Sequence, residues 1–192
     1  MRAHTFNDQW HTIWPNTSPI AEDLRKQLKY WVRMHMLPDA KRYPDTDEEL
    51  QMVISRHTRL LNALGSKDYL YIVTANWTDA AIVSSKHNPG FVHEGYSNEL
   101  WLTLDEDVDV FRHLYIGQSA WPSEVFSDLL SQVADDKLAG VIIAPPNVSW
   151  LYLPYDGGVD IITPLESQHD KIVNDFSEWL APEWSEPKLF RM

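Results

Sequence analysis

The sequence predicts an α+β fold, in which a mostly antiparallel sheet of about six or seven strands is flanked by N-terminal, central and C-terminal helices. Two observations carry this prediction. Apolar side chains recur every three or four residues near both ends and in the middle of the chain, as in amphipathic helices. Between these segments lie β-branched and aromatic runs broken by turn residues, which favour strands. Because these strands do not alternate regularly with helices, the order disfavours a doubly wound parallel sheet.

The first predicted helix covers residues 18–37. Ser18 can cap its start, and Pro19 suits its first turn. Apolar residues then recur on one face, and this stripe includes Trp31 and His35. We therefore expect His35 to be a core histidine whose ring is satisfied by a hydrogen bond.

The second predicted helix covers residues 46–65. It begins with a capping box formed by Thr46 and Glu49, and it ends at Gly65. Its apolar stripe contains His57, which we also expect to be a core histidine.

After Gly65 the sequence changes to a strand-like pattern. The predicted strands are residues 69–75, 79–84, 99–104 and 111–117. A third helix is predicted from Pro122 to about residue 135, followed by the buried strand "AGVIIA". The last helix is predicted to start from a second capping box, Thr163 and Glu166.

The segments "VSWLYLP" and "VDIIT" predict a hairpin closed by two residues, either Asp156 and Gly157 or Gly157 and Gly158. In either register Asp160 shares a face with Leu151, Leu153 and Tyr155. Both faces are apolar, so we expect the hairpin to be covered on both sides and Asp160 to need a hydrogen-bond partner. Two interpretations stay open. Asp160, with Asp156 nearby, is an acid or base at the sheet edge, or Asp160 braces the turn through backbone amides or a tyrosine hydroxyl.

Two stretches, "RHTRLLNALGSKDYLYIV" and "GVIIAPPNVSWLYLPYDGGVDII", resemble an uncharacterised bacterial family of single-domain proteins, a domain of unknown function. The resemblance covers residues 56–162, and its distinctive motif is "YDGGVD". It implies a helix that leads into an aromatic strand and a late hairpin. Many members have a longer, charged turn where this chain has Gly157 and Gly158. The family has no established activity or cofactor, so the resemblance implies a fold and not a function.

Composition limits the classes of partner. Lys plus Arg number 16 against 28 Asp plus Glu, which gives a net charge of -12 and argues against nucleic acid as a ligand. The chain has no cysteine, so we expect a reducing compartment, the cytoplasm, and no thiolate metal site. Its longest apolar run is too short to span a bilayer, and its start lacks the apolar core of a signal peptide. We expect one domain over residues 1–192, with residues 1–18 as an N-terminal arm.

The acidic run "LDEDVDVF" is the predicted binding surface for a basic protein. The predicted binding residues are Asp105, Glu106, Asp107, Asp109 and Tyr155. Asp105, Asp107 and Asp109 alternate as in a calcium loop. However, Val110 and Ile116 occupy the positions where such a loop needs glycine and glutamate, so calcium is not predicted.

The loop "HNPGFVHEG" brings His87, His93 and Glu94 together. Two imidazoles and a carboxylate suit zinc or iron, but no helix fixes their spacing, so they are metal candidates only and no cofactor is predicted.

The stretch "GQSAW" lies between a strand and a helix, where a nucleophile elbow would place Ser119. Trp121 replaces the second glycine of that motif, and only His169 follows as a base. We therefore interpret Ser119 as a turn residue.

Three functions remain as hypotheses. The first is a non-enzymatic module that binds a basic protein through the acidic run, as immunity proteins and antitoxins do. The second is a small hydrolase or metal-assisted enzyme that uses Asp156 or Asp160 with a histidine of the 87–93 loop. The third is a structural dimer, which would expose a large apolar patch on the monomer.

Overall fold

The structure is a computed structural model that describes residues 2–82 and 90–181. Within these ranges seven strands form one antiparallel sheet. They are β1 (Trp31–His35), β2 (Tyr69–Thr78), β3 (Asn98–Asp107), β4 (Val110–Ala120), β5 (Ile142–Ala144), β6 (Leu151–Tyr155) and β7 (Gly158–Ile162). Their order across the sheet is β1-β7-β6-β5-β2-β4-β3. The described α-helices are α1 (Arg2–Ile13), α2 (Ala21–Gln27), α3 (Asp47–Ala63), α4 (Glu124–Ala134) and α5 (Glu166–Asp175). The predicted α+β fold is confirmed.

The helices cover both faces of the sheet. On one face α3 and α4 pack with Ile72 of β2 in a buried cluster. On the other face α1 and α2 contribute Phe6, Trp10 and Leu24 to a second cluster that includes Val73. Because Ile72 and Val73 are consecutive, their side chains point to opposite faces, and both side chains are fully buried. Every helix within the described ranges is too short or too polar to cross a membrane.

The predicted helix over residues 18–37 is correct only over Ala21–Gln27, and its cap position is Ile20 and not Ser18. Helix α2 ends at Gln27, the backbone at Leu28 is extended with φ -111° and ψ 135°, and Trp31–His35 form β1. This strand pairs residue by residue with β7, from Trp31 opposite Ile162 to His35 opposite Gly158. The ladder hydrogen bonds and burial at the sheet edge outweigh the helical spacing of the apolar residues.

The two histidines predicted to lie in the core differ. The Nδ1 atom of His57 lies 2.6 Å from the Tyr152 hydroxyl, as expected for a satisfied core histidine. His35 lies on β1, and its buried Nε2 atom has no hydrogen-bond partner among the described residues. The prediction for His35 failed because it assumed a helix face.

Two further boundaries differ from prediction. Strand β2 runs on to Thr78, residues 79–82 are not a strand, and residues 83–84 lie outside the described ranges. Helix α5 begins at Glu166 without a side-chain cap. Leu165 occupies the cap position, and the Thr163 hydroxyl donates to the carbonyl of Leu165 instead of accepting from an N–H of the helix. The other predicted cap is present, since the Thr46 side chain accepts from the N–H of Glu49.

Candidate functional site

The β6–β7 hairpin, which we call the buried hairpin, covers residues 151–162. Tyr155 pairs with Gly158, so the turn consists of Asp156 and Gly157. Neither turn residue has a positive φ, although glycine-containing two-residue turns often need one. Leu153 lies opposite Asp160, which confirms the predicted face of this carboxylate. The two faces of the hairpin belong to the two buried clusters, so it is covered on both sides as predicted.

Asp160 is held by two arginines. Arg33 lies directly opposite on β1, and its Nε and Nη2 atoms each donate at 2.8 Å to a different oxygen of the Asp160 carboxylate. The Nη1 atom of Arg25, on α2, lies 3.4 Å from Oδ2. Asp160 itself is 2% exposed. Among the described residues, the hydrogen bonds of Asp160 come from guanidinium groups, where backbone amides or a tyrosine hydroxyl were predicted.

Gly158 lets Tyr155 reach this ion pair. A Cβ atom at Gly158 would lie 2.2 Å from the Met34 carbonyl oxygen and 2.9 Å from the Tyr155 hydroxyl. Only glycine fits at this position. The Tyr155 hydroxyl lies in the space that a Cβ atom would need. The guanidinium carbon of Arg33 then lies 5.1 Å from the centre of that ring and 5.6 Å from the ring of Trp31. These distances are those of cation–π contacts.

Asp156, in the turn, is also paired. Its carboxylate accepts from the Nε atom of Arg42 at 2.5 Å. The hydrogen bond and the charge of Asp156 raise the pKa of Arg42, and a hydrogen bond to the same carboxylate raises the pKa of Tyr43. Arg42 stays charged and Tyr43 stays protonated, so the carboxylate acts here as an acceptor of hydrogen bonds.

Within the described residues, neither of these carboxylates is hydrogen-bonded to a histidine. None of the hydrogen bonds described for Asp156 or Asp160 involves an imidazole. His93 points its Nδ1 atom at the carbonyl of the adjacent Glu94, 2.7 Å away. His87 lies outside the described residues. Within those residues, no group of three or more metal-ligating side chains is suitably placed for an ion.

Among the described residues, the side-chain partner of Ser119 is another serine and not a histidine. Ser119 lies near the end of β4, and its hydroxyl is 3.0 Å from the hydroxyl of Ser123. His169 is on α5, where its ring contacts Asp170. The structure thus separates the two residues that a nucleophile elbow would require together.

The β3–β4 hairpin carries the predicted acidic surface, and we call its residues 105–110 the acidic hairpin. Asp105 lies opposite Phe111, and Asp107 lies opposite Val110. All six residues are exposed, and Val108 at the tip is 84% exposed. Asp109 has a φ of 58°, a left-handed conformation that aspartate tolerates better than most residues. The hairpin therefore presents its carboxylates around an apolar tip.

A buried arginine anchors the base of the acidic hairpin. Arg112 is 5% exposed and forms ion pairs with Glu106 and with Glu22 of α2. Burial would lower the pKa of Arg112, but the two glutamates raise it above its usual value. Glu106 is therefore engaged by the scaffold. By contrast, Asp105, Asp107 and Asp109 form no ion pair within the described part of the chain.

The sequence did not predict the arginines that bind Asp156 and Asp160, and it placed Tyr155 in the wrong group of residues. Tyr155 lies on β6, three strands from β4, so the structure does not bring it together with the acidic hairpin. Arg25, Arg33 and Arg42 were not predicted as site residues. A signal existed for Arg33, because alternate residues of Trp31–His35 fall into a polar and aromatic set and an apolar set, which is the period of a strand.

Comparison with known proteins gives a family but no characterised relative. No curated protein and no solved structure matches the chain. The model of one family, described as a domain of unknown function (DUF3885), matches residues 20–184. This match includes both hairpins and the helices from α2 to α5. The chain therefore belongs to the DUF3885 family of domains of unknown function.

Proposed function

We propose that this protein is a non-enzymatic cytoplasmic module that binds a basic protein through the acidic hairpin, as immunity proteins and antitoxins do. One observation carries the proposal. Asp105, Asp107 and Asp109 are exposed on one hairpin and are not neutralised by any cation of the described residues. Such a group attracts a positively charged surface and accelerates its association. Val108 adds an apolar contact at the same tip.

The anchoring of the hairpin supports this role. His113, at 0% exposure on β4, lies 2.9 Å from the Thr103 hydroxyl on β3 and 2.8 Å from the Thr78 hydroxyl on β2. Together with the ion pairs of Arg112, these bonds tie three strands and α2 into one unit. A preorganised surface loses little conformational entropy when it binds.

The enzyme alternative has less support. It needs Asp156 or Asp160 to exchange a proton with a substrate or to activate water. Both carboxylates instead accept hydrogen bonds from arginines, so their oxygens are already engaged by the scaffold. Binding is therefore the better account of this geometry.

The experiment is a capture of partners from the native host with three versions of the purified protein. The hairpin variant carries Asp105→Asn, Asp107→Asn and Asp109→Asn. The control variant carries Asp8→Asn, Asp170→Asn and Asp175→Asn, which removes the same charge from exposed positions on α1 and α5. We expect the wild type and the control to capture the same basic protein. The hairpin variant should lose it, and added salt should weaken the wild-type interaction.

Two results would overturn the proposal. One is the recovery of no basic protein by the wild type at low salt. The other is equal recovery of that protein by the hairpin variant and the wild type, since binding would then use a different surface.

A further inference from the structure

The two edge strands of the sheet, β1 and β3, differ in what lies beyond them. Beside β1, Met34 forms a bridge with Leu180, and the N–H of Ala181 donates to the carbonyl of Arg33. Beside β3, the backbone of residues 102–105 forms hydrogen bonds with no element other than β4 in the described part of the chain. Alternate residues of an edge strand point their N–H and C=O groups away from the sheet. This part of β3 can therefore accept another strand.

We call residues 102–105 the open edge. They pair in continuous register with residues 111–114 of β4. Register shifts lie on both sides of them, next to Leu100 on one side and Asp107 on the other. Bulges of this kind protect natural sheet edges from unwanted pairing. Here they limit the open edge to a short segment, but within that segment the backbone is regular.

The two faces of the open edge differ in polarity. Leu102 and Leu104 are half-buried and pack against the cluster that includes Phe6 of α1. Thr103 and Asp105 are exposed on the opposite face. Side chains of paired strands that lie opposite each other share a face, so an added strand would continue this alternation. Its side chains beside the leucines would extend the apolar cluster, and those beside Asp105 would face a carboxylate.

Charge selects among the strands that could be added. Asp105 belongs to the open edge, and Asp107 and Asp109 follow it directly. A second copy of this chain would bring the same acids and a net charge of -12, and like charges on paired strands are destabilising. A strand with Lys or Arg side chains instead gains pairs of opposite charge. The acids thus disfavour self-pairing and favour a basic strand.

We propose that the basic partner binds by adding an extended segment, in which apolar and basic residues alternate, to the open edge of β3. In this mode of recognition the backbone hydrogen bonds supply affinity and the alternate side chains supply specificity. The inference rests on the function proposed above, because it concerns the same partner and the same aspartates. It adds the conformation and the residue pattern of the segment that binds.

The test measures amide hydrogen exchange of the whole protein by NMR, with and without the synthetic peptide Lys-Val-Lys-Val-Lys-Val-Lys. The control peptide has the same sequence, but a methyl group replaces every backbone N–H hydrogen. It keeps the charges and side chains and cannot donate backbone hydrogen bonds. The two protein variants of the capture experiment, the hairpin variant and its charge-matched control, are titrated with the same peptides.

We expect the unmethylated peptide to slow exchange at those amides of the open edge that exchange fast in the free protein. The effect should be about tenfold at a peptide concentration roughly ten times the Kd, because exchange then proceeds from the free fraction. The methylated peptide should leave these amides unprotected. The hairpin variant should bind the unmethylated peptide roughly tenfold more weakly than the control variant, as expected for three lost exposed charge pairs.

Four outcomes would overturn the inference. The unmethylated peptide does not bind, it binds without slowing exchange at the open edge, or the methylated peptide protects the same amides equally. In the fourth, the free protein already protects these amides more strongly as its concentration rises, since a second copy would then occupy the edge. A basic protein that is captured through the aspartates but leaves exchange at the open edge unchanged would support the proposed function and exclude strand addition.

Discussion

The acidic hairpin and the buried hairpin place aspartates beside tight turns in opposite environments. In the acidic hairpin, Asp105, Asp107 and Asp109 are exposed and lack ion pairs among the described residues. In the buried hairpin, Asp160 is 2% exposed and bound by two arginines, and Asp156 is bound by a third. The difference follows from position in the sheet. β7 has neighbours on both sides and helices over both faces, whereas β3 is an edge strand.

This comparison shows how burial decides the role of a carboxylate. Taking an ionised group out of water is costly unless it is paired or hydrogen-bonded, so a buried carboxylate requires partners within the protein. An exposed acid has no such requirement and stays available to a partner. We therefore interpret the buried hairpin as part of the scaffold, and we propose that the acidic hairpin serves recognition.

The largest expected effect tests how tightly the buried hairpin is packed. Gly158→Ala places a Cβ atom 2.2 Å from the Met34 carbonyl oxygen, so β1 must move away from β7. We expect a loss of about 3 kcal/mol in the free energy of unfolding, measured with urea. The matched control is Gly157→Ala, whose Cβ atom meets side-chain atoms no closer than 3.4 Å. Equal losses for both variants would show that the space above Gly158 is not constrained.

The second effect concerns the other face of the buried hairpin and its response to acid. Tyr152 and His57 share a hydrogen bond, and burial lowers the pKa of His57 from 6.5 to about 3. The unfolded chain therefore binds a proton that the folded protein does not. The stabilisation by neutral His57 is complete above pH 6.5 and is lost as the pH falls from 6.5 towards 3. Between pH 7 and pH 5 the loss should be about 2 kcal/mol.

Urea unfolding at several pH values tests this predicted loss of stability in acid. His57→Gln should lower stability at pH 7 but also flatten its dependence between pH 7 and pH 5. The control His4→Gln changes an exposed histidine on α1 and should leave that dependence unchanged. A His57→Gln protein with the wild-type dependence would show that another group takes up the proton.

A smaller effect on stability is expected at Glu106, where the acidic hairpin meets the buried part of the sheet. Glu106 belongs to the acidic hairpin by sequence but pairs with the buried Arg112. Glu106→Gln should cost about 1 kcal/mol in the free energy of unfolding, because Glu22 still neutralises the guanidinium. Asp109→Asn is the control, and we expect it to change stability by less than about 0.5 kcal/mol. If the two variants have the same free energy of unfolding, Glu106 belongs with the exposed acids.

The sequence predicts the parts of the fold that depend on local periodicity. The stripe of α3, its Thr46 cap and the face of Asp160 follow from spacings of three to four residues or of two. The exposure of Asp105 also follows, because a run of acids cannot be buried without cations.

The parts that depend on distant pairing could not be predicted in the same way. Residues 28–36 fit both a helix and a strand, and only the ladder with β7 selects the strand. Arg33 and Asp160 are 127 positions apart, so no local pattern reveals their contact. Once Arg33 is placed on a helix, the ion pair that neutralises Asp160 cannot be anticipated.

The most direct test of the assignment compares one aspartate from each hairpin in the same urea titration. Asp160→Asn leaves Arg33 and Arg25 partly buried without their carboxylate, and we expect it to cost about 3 kcal/mol in the free energy of unfolding. Asp107→Asn should change that free energy by no more than about 0.5 kcal/mol. Similar costs for the two variants would contradict the division between a scaffold hairpin and a recognition hairpin.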